Sequence, residues 1–282
     1  MKLDTVHAGD ARHMDAVGDN SVHLVVTSPP YNVSMEYGDH INDLLSEIQY
    51  AAFTRAWIAE CHRVLVPGGR LAINVGNTGR KPYVYLNLKI VKECLAQGFV
   101  ARQEFIWFKG YAVAAGKTSW GSWCDVRNPI TRDCHEYIEV FNKPAGGDVD
   151  AKDYSPYRLD VDLKAFPPAD VKPGEFAYLT FSHWDIQPVT GKASWHPAPF
   201  PVEIPRRLML LYTRPGMVVL DPFMGSGSTG IAAVSFPAKR HYIGYELNPE
   251  FARKAAVAIK KRDYKPLVIG NGKHETHYKP LL

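Results

Sequence analysis

Residues 218–230 read VVLDPFMGSGSTG, an apolar run that leads into a glycine-rich loop and then into the start of a helix. Gly225, Gly227 and Gly230 have the spacing G-x-G-x-x-G, which allows a tight turn and a close approach of the backbone to a nucleotide. A second apolar run ends at Glu246, about 20 residues after the loop, where an acidic residue normally binds ribose hydroxyls. The stretch therefore predicts a strand, loop and helix that hold a nucleotide-like cofactor.

Two kinds of cofactor fit this loop. A dinucleotide would place its pyrophosphate at the helix N-terminus, whereas S-adenosylmethionine has no phosphate and presents an ammonium and a carboxylate instead. Asp221, at the end of the first strand, suits a cationic ammonium and argues against a nearby pyrophosphate. The loop therefore favours S-adenosylmethionine, and an NAD-dependent oxidoreductase is the remote alternative.

Residues 22–31 read VHLVVTSPPY, an apolar strand that ends in a polar residue, two prolines and an aromatic ring. Proline fixes φ and has no N–H, and the residue before a proline is extended. The Ser28 hydroxyl and the carbonyls of Ser28 and Pro29 are therefore held as hydrogen-bond acceptors. Pro30 stiffens the turn, and Tyr31 supplies a flat face beside it. This arrangement suits a planar ring with an exocyclic amino group; a plain turn that ends the strand is the alternative.

The Ser-Pro-Pro-Tyr run resembles the catalytic tetrapeptide of the S-adenosylmethionine-dependent DNA amino-methyltransferases. The string Asp-Pro-Phe-x-Gly-x-Gly-x-Thr, from Asp221 to Thr229, is similar to their cofactor loop. This family transfers a methyl group to the exocyclic nitrogen of adenine or cytosine. The resemblance implies that the catalytic residues are Ser28, Pro29, Pro30 and Tyr31. It implies that the cofactor is bound by Asp10, Phe200, Asp221, Pro222, Phe223, Gly225, Gly227, Ser228, Thr229 and Glu246.

The tetrapeptide precedes the cofactor loop along the chain, which is the order found in the β group of this family. That order is a circular permutation of the common methyltransferase arrangement. In the family, the acid that matches Asp10 lies near the cofactor adenine, and the position that matches Phe200 contacts the cofactor. The resemblance covers roughly residues 3–145 and 195–262 and is less clear between them.

The resemblance also indicates which DNA base is methylated. In the family, serine at the first tetrapeptide position usually accompanies N4-cytosine methylation and aspartate usually accompanies N6-adenine methylation. Ser28 therefore favours cytosine and leaves adenine as the alternative. A methyltransferase that acts on protein glutamine or on RNA is disfavoured, because glutamine-modifying relatives carry asparagine at this position. A catalytically silent DNA-binding module is disfavoured by the intact motif residues.

Apolar runs alternate with helical periodicity along the chain, which predicts a Rossmann-like α/β fold with a mostly parallel sheet and helices on both faces. Both motifs follow strand ends, so we expect them to share one cleft at the carboxyl edge of the sheet. Predicted strands span residues 22–26, 70–75, 103–108, 136–141, 217–221 and 241–245. Predicted helices span residues 50–65, 83–97, 200–212, 228–236 and 249–262. Pro67-Gly68-Gly69 predicts a turn between a helix and a strand.

We expect residues 1–145 and 195–282 to form the catalytic domain, interrupted by an inserted target-recognition region at 146–194. Within this region, residues 183–188 (HWDIQP) look like a docking segment of the family, or else form a loop held by one buried tryptophan. The acidic segment 32–49 is expected to be either a lid that orders on substrate binding or an ordinary surface loop.

The chain has 282 residues, 46% of them hydrophobic, which suits one large α/β domain with an insertion. It contains no run of about 18 apolar residues and no signal peptide, so we expect a cytoplasmic protein without a membrane span. No C-x-x-C pair occurs among Cys61, Cys94, Cys124 and Cys134, so neither a zinc site nor a redox pair is expected.

A net charge of +4 is compatible with binding to nucleic acid. Basic and aromatic residues alternate between positions 107 and 132, where cations could meet phosphates and rings could stack on bases; a tryptophan core with a basic rim is the alternative. The residues concerned are Trp107, Lys109, Tyr111, Lys117, Trp120, Trp123, Arg127 and Arg132. The expected partner is double-stranded DNA with the target base flipped out, with a homodimer and a cognate restriction endonuclease as further candidates.

Overall fold

A computed structural model of the chain describes residues 1–38, 43–78, 82–111, 121–146, 157–189, 195–261 and 264. Its strands are β1 (Thr5–Ala8), β2 (Val22–Thr27), β3 (Leu65–Val75), β4 (Val100–Phe108), β5 (His135–Asn142), β6 (His183–Asp185), β7 (Val218–Asp221) and β8 (His241–Glu246). Its α-helices are α1 (Glu47–Val64), α2 (Leu86–Ala96), α3 (Pro173–Leu179), α4 (Glu203–Tyr212), α5 (Ser228–Ser235) and α6 (Pro249–Lys261). Among these helices, none is both long and apolar enough to cross a membrane.

The eight strands form one sheet in the order β1-β8-β7-β2-β3-β5-β4-β6. Every neighbouring pair is parallel except the two pairs made by β5, which runs antiparallel to β3 and to β4. At the centre, Leu24 of β2 lies beside Val219 of β7. The predicted, mostly parallel α/β fold is therefore confirmed, and the carboxyl ends of β2 and β7 lie side by side.

Alternate residues of the central strands face two separate cores, because successive side chains of a strand point to opposite faces of the sheet. Val25 and Leu220 belong to a core shared with α1 and α2. Leu24 and Val219 belong to a second core shared with α4 and α5. The prediction of helices on both faces is confirmed.

The predicted strands and long helices are present in the structure, but several of them begin or end at residues other than the predicted ones. Helix α4 begins at Glu203 instead of 200, because Pro201 disfavours helical geometry at the residue before it, Phe200. Helix α2 begins at Leu86 instead of 83. Three short elements, β1, β6 and α3, are missing from the sequence prediction, because elements of three to seven residues show too little periodicity.

The prediction of a turn at Pro67-Gly68-Gly69 is wrong. Helix α1 ends at Val64 and β3 begins at Leu65, so these three residues lie inside the strand, where its pairing with β2 is irregular. Gly68 has a φ of 74°, and a Cβ at this position would lie 1.8 Å from the carbonyl oxygen of Arg158. The glycine is needed because another backbone segment passes directly over it.

That segment, residues 157–170, runs along the amino-terminal edge of the sheet. Phe166 packs edge-on against His23 at the start of β2, with ring centroids 5.2 Å apart. Asp170 accepts two hydrogen bonds of 2.6 Å from Arg240, directly before β8. Residues 157–170 are therefore on the edge opposite to the carboxyl ends of β2, β7 and β8.

The described part of the interval 146–194 contributes one strand to the sheet. Strand β6 pairs with β4 at the edge of the sheet. Trp184 is fully buried and stacks on Phe105 with ring centroids 4.3 Å apart. The buried tryptophan expected within 183–188 is confirmed, although a strand takes the place of the expected loop. A role of the interval in target recognition stays a prediction.

Candidate active site

The carboxyl edge of the sheet brings the two predicted motifs together through one carboxylate. Thr27, the last residue of β2, donates a hydrogen bond of 2.8 Å from Oγ1 to Oδ1 of Asp221, the last residue of β7. Thr229, in the first turn of α5, donates to Oδ2 at 2.6 Å, and the amide of Phe223 donates to Oδ1 at 3.0 Å. Asp221 therefore joins the strand that leads to Ser28 with the glycine-rich loop.

Asp221 has the burial and the hydrogen bonds of a residue that stabilises the fold. Its side chain is fully buried. Burial raises the pKa of Asp221 to about 6, although the hydrogen bonds from Thr229 and Thr27 act in the opposite direction. Both carboxylate oxygens are occupied by donors of the protein itself. A contact between Asp221 and a cofactor ammonium stays a prediction.

The glycine-rich loop contains two residues with backbone conformations that favour glycine. Gly225 has a φ of 48° and Gly227 a φ of 91°. A Cβ on Gly225 would lie 3.0 Å from the ring of His196, and one on Gly227 would lie 3.2 Å from Ile259 of α6. Burial lowers the pKa of His196 to about 4, so its imidazole is neutral near pH 7. The loop is closely packed between this ring and helix α6.

Two further carboxylates lie at the same edge of the sheet. Glu246, the last residue of β8, accepts a hydrogen bond of 2.9 Å from the amide of Gly225, and burial raises the pKa of Glu246. Asp10 comes two residues after Ala8, which is paired with Glu246. Desolvation acts to raise the pKa of Asp10, but hydrogen bonds from Arg12 outweigh it and lower the pKa overall. Both acids are therefore on the edge that carries the glycine-rich loop.

The remaining predicted cofactor residues are part of the same edge. Phe223 is half-buried and meets Trp57 edge-on, with ring centroids 5.4 Å apart. Phe200 is buried, and its carbonyl accepts a hydrogen bond of 2.7 Å from Oγ of Ser228. Pro222 is buried between Asp221 and Phe223 in the chain. The structure thus brings the predicted cofactor residues together; that they bind a cofactor stays a prediction.

The predicted catalytic residues form the segment directly after β2. Oη of Tyr50, on α1, donates a hydrogen bond of 2.7 Å to the carbonyl of Pro30 and holds the turn. Oγ of Ser28 lies 3.3 Å from Oη of Tyr31. Ser28 and Tyr31 are half-buried and Pro29 is buried. A hydroxyl is therefore presented at the edge of the sheet beside the glycine-rich loop.

Three polar residues next to Tyr31 lie outside the set of predicted site residues. Glu136 accepts hydrogen bonds through Oε2 from Oη of Tyr31 at 3.2 Å and from Nδ2 of Asn74 at 2.6 Å. Its Oε1 pairs with Nζ of Lys109. Burial and, after it, the charge of Glu136 raise the pKa of Tyr31 well above its ordinary value.

The sequence places Glu136 at the start of a predicted strand but does not give the direction of that strand. In an antiparallel strand of an otherwise parallel sheet, the first residues lie at the carboxyl edge of the neighbouring strands. Glu136 is the second residue of β5, next to the ends of β3 and β4. Knowing the direction of β5 would have placed this carboxylate in the site.

The segment 32–49 contacts the cofactor-loop side of the site in its described part. Asp43 is buried and accepts two backbone hydrogen bonds, at 2.7 and 3.2 Å, from the start of this segment. Nδ2 of Asn248 donates a hydrogen bond of 2.8 Å to the carbonyl of Tyr37. Residues 39–42 lie outside the described ranges. A lid function of this segment stays a prediction.

Among the described members of the predicted group of alternating basic and aromatic residues, two do not belong to an exposed surface. Trp107 is buried, and the Lys109 ammonium lies 4.6 Å from its ring centroid while pairing with Glu136. Tyr111 and Trp123 are exposed. The prediction is corrected in this respect, because two members of the group belong to the packed edge of the sheet. Lys117 and Trp120 lie outside the part of the chain that the structure describes.

The fold is that of a DNA methylase. The chain belongs to the N6_N4_Mtase family of DNA methylases, whose sequence pattern matches residues 22–257. It is 32% identical over 279 residues to the Type II methyltransferase M.MjaI of Methanocaldococcus jannaschii, and the match covers 85% of this chain and 86% of that protein. It is 28% identical over 256 residues to the DNA adenine methyltransferase YhdJ of Escherichia coli, covering 88% and 80% of the two chains.

A solved structure shares the fold. TTHA0409 of Thermus thermophilus, assigned as a DNA modification methylase and complexed with S-adenosyl-L-methionine, superposes with a TM-score of 0.65 at 30% identity. The superposition covers 92% of this chain and 93% of that protein. The family membership favours methyl transfer over the oxidoreductase alternative.

Proposed function

We propose that this chain transfers a methyl group from S-adenosylmethionine to the exocyclic N4 amino group of a flipped-out cytosine in DNA. Membership of a DNA methylase family supports the reaction class, and the solved relative complexed with S-adenosyl-L-methionine supports the methyl donor. The observation that carries the proposal is the Thr27–Asp221 hydrogen bond of 2.8 Å, which fixes Ser28 beside the glycine-rich loop.

The residues around the glycine-rich loop fit this cofactor. The carboxylate of Glu246 suits the ribose hydroxyls of the cofactor, and Asp10 lies on the same edge of the sheet. A Cβ on Gly225 would lie 3.0 Å from the ring of His196, so a residue without a side chain is required where the loop meets this ring. When bound, S-adenosylmethionine supplies a sulfonium methyl group for an in-line displacement. We assign Phe200 and Phe223 to the apolar walls of its site.

Ser28 and Pro29 act on the target base. A base amino nitrogen is a weak nucleophile, because its lone pair is delocalised into the ring. Oγ of Ser28 and the carbonyl of Pro29 accept its two hydrogens, which favours a pyramidal nitrogen whose lone pair is directed at the methyl group. Their contribution is positioning and stabilisation of the positive charge that develops on nitrogen. A covalent enzyme intermediate is not required: the sulfonium leaves as a neutral thioether, and the surplus proton of the methylated nitrogen passes to solvent.

The target base has to leave the duplex, since a stacked base does not reach a turn at the edge of a sheet. Extrusion of a base costs a few kcal/mol. Tyr31 stacks on the extruded ring, a contact worth about 1–3 kcal/mol. The hydrogen bond from Tyr50 to Pro30 supports this role, because it holds the turn that carries the Tyr31 ring.

Adenine is the second candidate base, because a relative 28% identical to this chain is named as a DNA adenine methyltransferase. Serine at position 28 supports cytosine through the family resemblance. The test is incubation of the purified chain with S-adenosylmethionine and mixed-sequence DNA, followed by digestion and mass spectrometry of the nucleosides. N4-methylcytosine is the expected product. Detection of N6-methyladenine instead would make adenine the target base. The absence of any methylated nucleoside would contradict both candidate bases.

We retain the division into a catalytic domain of residues 1–145 and 195–282 and a recognition region within 146–194. The part of that region best placed for DNA is the end of β6, because β6 is parallel to β4 and ends at the carboxyl edge. Residues 157–170 lie on the opposite edge, where their contacts stabilise the fold. A homodimer and a cognate restriction endonuclease stay predictions.

A further inference from the structure

A chain of hydrogen bonds leads from the proposed catalytic hydroxyl to a carboxylate on another strand. Oγ of Ser28 lies 3.3 Å from Oη of Tyr31, and Oη of Tyr31 lies 3.2 Å from Oε2 of Glu136. The three groups come from the segment after β2 and from the start of β5. Nothing in the methyl-transfer step described above uses Glu136.

The direction of these hydrogen bonds follows from the partners of Glu136. Its carboxylate receives Nδ2 of Asn74 at 2.6 Å and forms an ion pair with Lys109, whose side chain is 20% exposed. An ionised carboxylate only accepts hydrogen bonds, so Tyr31 has to be the donor in the contact with Glu136. The carbonyl of Asn74, 3.5 Å from the same hydroxyl, also only accepts.

Tyr31 has one proton, and this proton points away from Ser28. Burial of Tyr31 raises its pKa, so the hydroxyl keeps that proton at neutral pH. In the contact between Ser28 and Tyr31, Ser28 is therefore the donor. A serine hydroxyl whose O–H donates a hydrogen bond to Tyr31 presents only lone pairs to any other group.

We propose that Glu136 is a positioning residue that acts through Tyr31 to fix the Ser28 hydroxyl as a hydrogen-bond acceptor facing the target base. The site then binds a ring that carries an amino group and disfavours one that carries a carbonyl at the same position. This inference rests on the proposed function and deepens it. A serine needs such a device because its hydroxyl can donate or accept, whereas an aspartate at the same position would accept in any case.

Replacing Glu136 by glutamine is expected to reverse the donor and acceptor roles in the hydrogen bonds that link residue 136, Tyr31 and Ser28. Lys109 attracts the oxygen of the new amide, which turns the NH₂ group toward Tyr31. Asn74 permits this, because its buried Oδ1 has no hydrogen-bond partner among the described residues and, after a flip of its amide, accepts a hydrogen bond from the new NH₂ group. Tyr31 then accepts a hydrogen bond from the amide and donates to Ser28 at 3.3 Å in preference to the Asn74 carbonyl at 3.5 Å, which leaves the Ser28 proton facing the base.

The test compares Glu136→Gln in two backgrounds, using steady-state kinetics of the methylation of mixed-sequence DNA by the full chain. In the parent background kcat should fall about tenfold, equivalent to one hydrogen bond, with the KM for DNA and for S-adenosylmethionine nearly unchanged. In a Ser28→Asp background the same substitution should have no effect on kcat. A purely structural role of Glu136 would lower kcat in both backgrounds, and that result, or a parental kcat in the first, overturns the inference.

Tyr31→Phe provides the second variant if Glu136→Gln does not fold. It keeps the ring and removes the hydroxyl that links Ser28 to Glu136, so kcat should again fall in the parent background and stay constant in the Ser28→Asp background. An equal loss in both would overturn the inference. Failure of the proposed function has a different signature, because Ser28→Ala would then methylate DNA at the parental rate.

Discussion

Ser28 is the residue whose side chain should affect turnover without affecting cofactor affinity. Ser28→Ala removes one of the two acceptors of the amino group, so we expect kcat to fall about tenfold to a hundredfold. The affinity for S-adenosylmethionine, measured by calorimetry, should not change, because the loop that binds it is untouched. Ser34→Ala, an exposed serine of the following segment, is the control. A parental kcat in Ser28→Ala would remove Ser28 from the mechanism.

Thr27 should contribute to stability through Asp221. Thr27→Val keeps the shape of the side chain and removes one of three donors to a fully buried carboxylate. Leaving a buried acceptor without this partner should cost about 1–3 kcal/mol in the free energy of unfolding, measured with urea. Thr180→Val, at an exposed position, should change it by less than about 0.5 kcal/mol. Equal stability of Thr27→Val and the parent would contradict the role given to this hydrogen bond.

At the scale of single residues, the sequence predicts the two motifs but not the distant residues that hydrogen-bond to them. Ser28 and the glycine-rich loop are recognisable because their chemistry lies in consecutive residues. Glu136 and Asn74 are not, because they reach Tyr31 from β5 and β3. Contacts between residues far apart in the chain depend on strand direction, which local patterns do not specify.

The antiparallel pair β4–β5 should show a pH-dependent stability. Glu104 lies opposite Glu139 in this pair. Burial raises the pKa of Glu139 above its ordinary value of 4.5, and the neighbouring Glu104 carboxylate adds to the shift. The folded state thus binds more protons than the unfolded state, so stability falls as the pH rises from about 4.5 through the raised pKa.

Glu139→Gln removes this titration. Unfolding by urea at about pH 5 and about pH 8 should show a smaller loss of stability between the two values than in the parent. At the higher pH the variant should be the more stable protein, since it has no buried charge to desolvate. Glu36→Gln, at an exposed position, should behave like the parent. A parental pH dependence in Glu139→Gln would contradict the assignment.

Elements with a strong local pattern are predictable, and those held by distant contacts are not. Helix α1 begins at Glu47 after a capping box formed by Ser46 and Gln49, a signature that the sequence contains and that would have corrected the predicted start at 50. Strand β6 has three residues and depends on the stacking of Trp184 against Phe105 on β4. Its position could not be derived from its own sequence.

At the scale of the whole molecule, we assign the active site to the carboxyl edge of the sheet and a stabilising role to the amino edge. Asp170→Ala leaves the fully buried Arg240 without its ion-pair partner and should cost about 1–3 kcal/mol of stability. The recognition sequence, mapped on methylated DNA, should be unchanged, because Asp170 lies on the amino edge. Asp160→Ala, at an exposed position of the same segment, should leave both quantities at their parental values. An altered recognition sequence in Asp170→Ala would contradict the division of the edges.

The shared carboxyl edge was predictable from the sequence, whereas the path of residues 157–170 was not. Strands that precede both motifs are apolar and alternate with helices, which is enough to place the motifs at one edge of a parallel sheet. The path along the amino edge depends on the passage of Arg158 over Gly68 and on the Asp170–Arg240 pair. Both join residues that are distant in the chain.

The most direct test of the shared crevice is a crystal structure of the chain with S-adenosylmethionine and duplex DNA that carries its mapped target. We expect an extrahelical cytosine with its N4 within about 3.2 Å of Oγ of Ser28, its ring on Tyr31 and the sulfonium methyl group directed at N4 from the glycine-rich loop. A target base that remains stacked in the duplex, or a cofactor on any other edge of the sheet, would contradict the account.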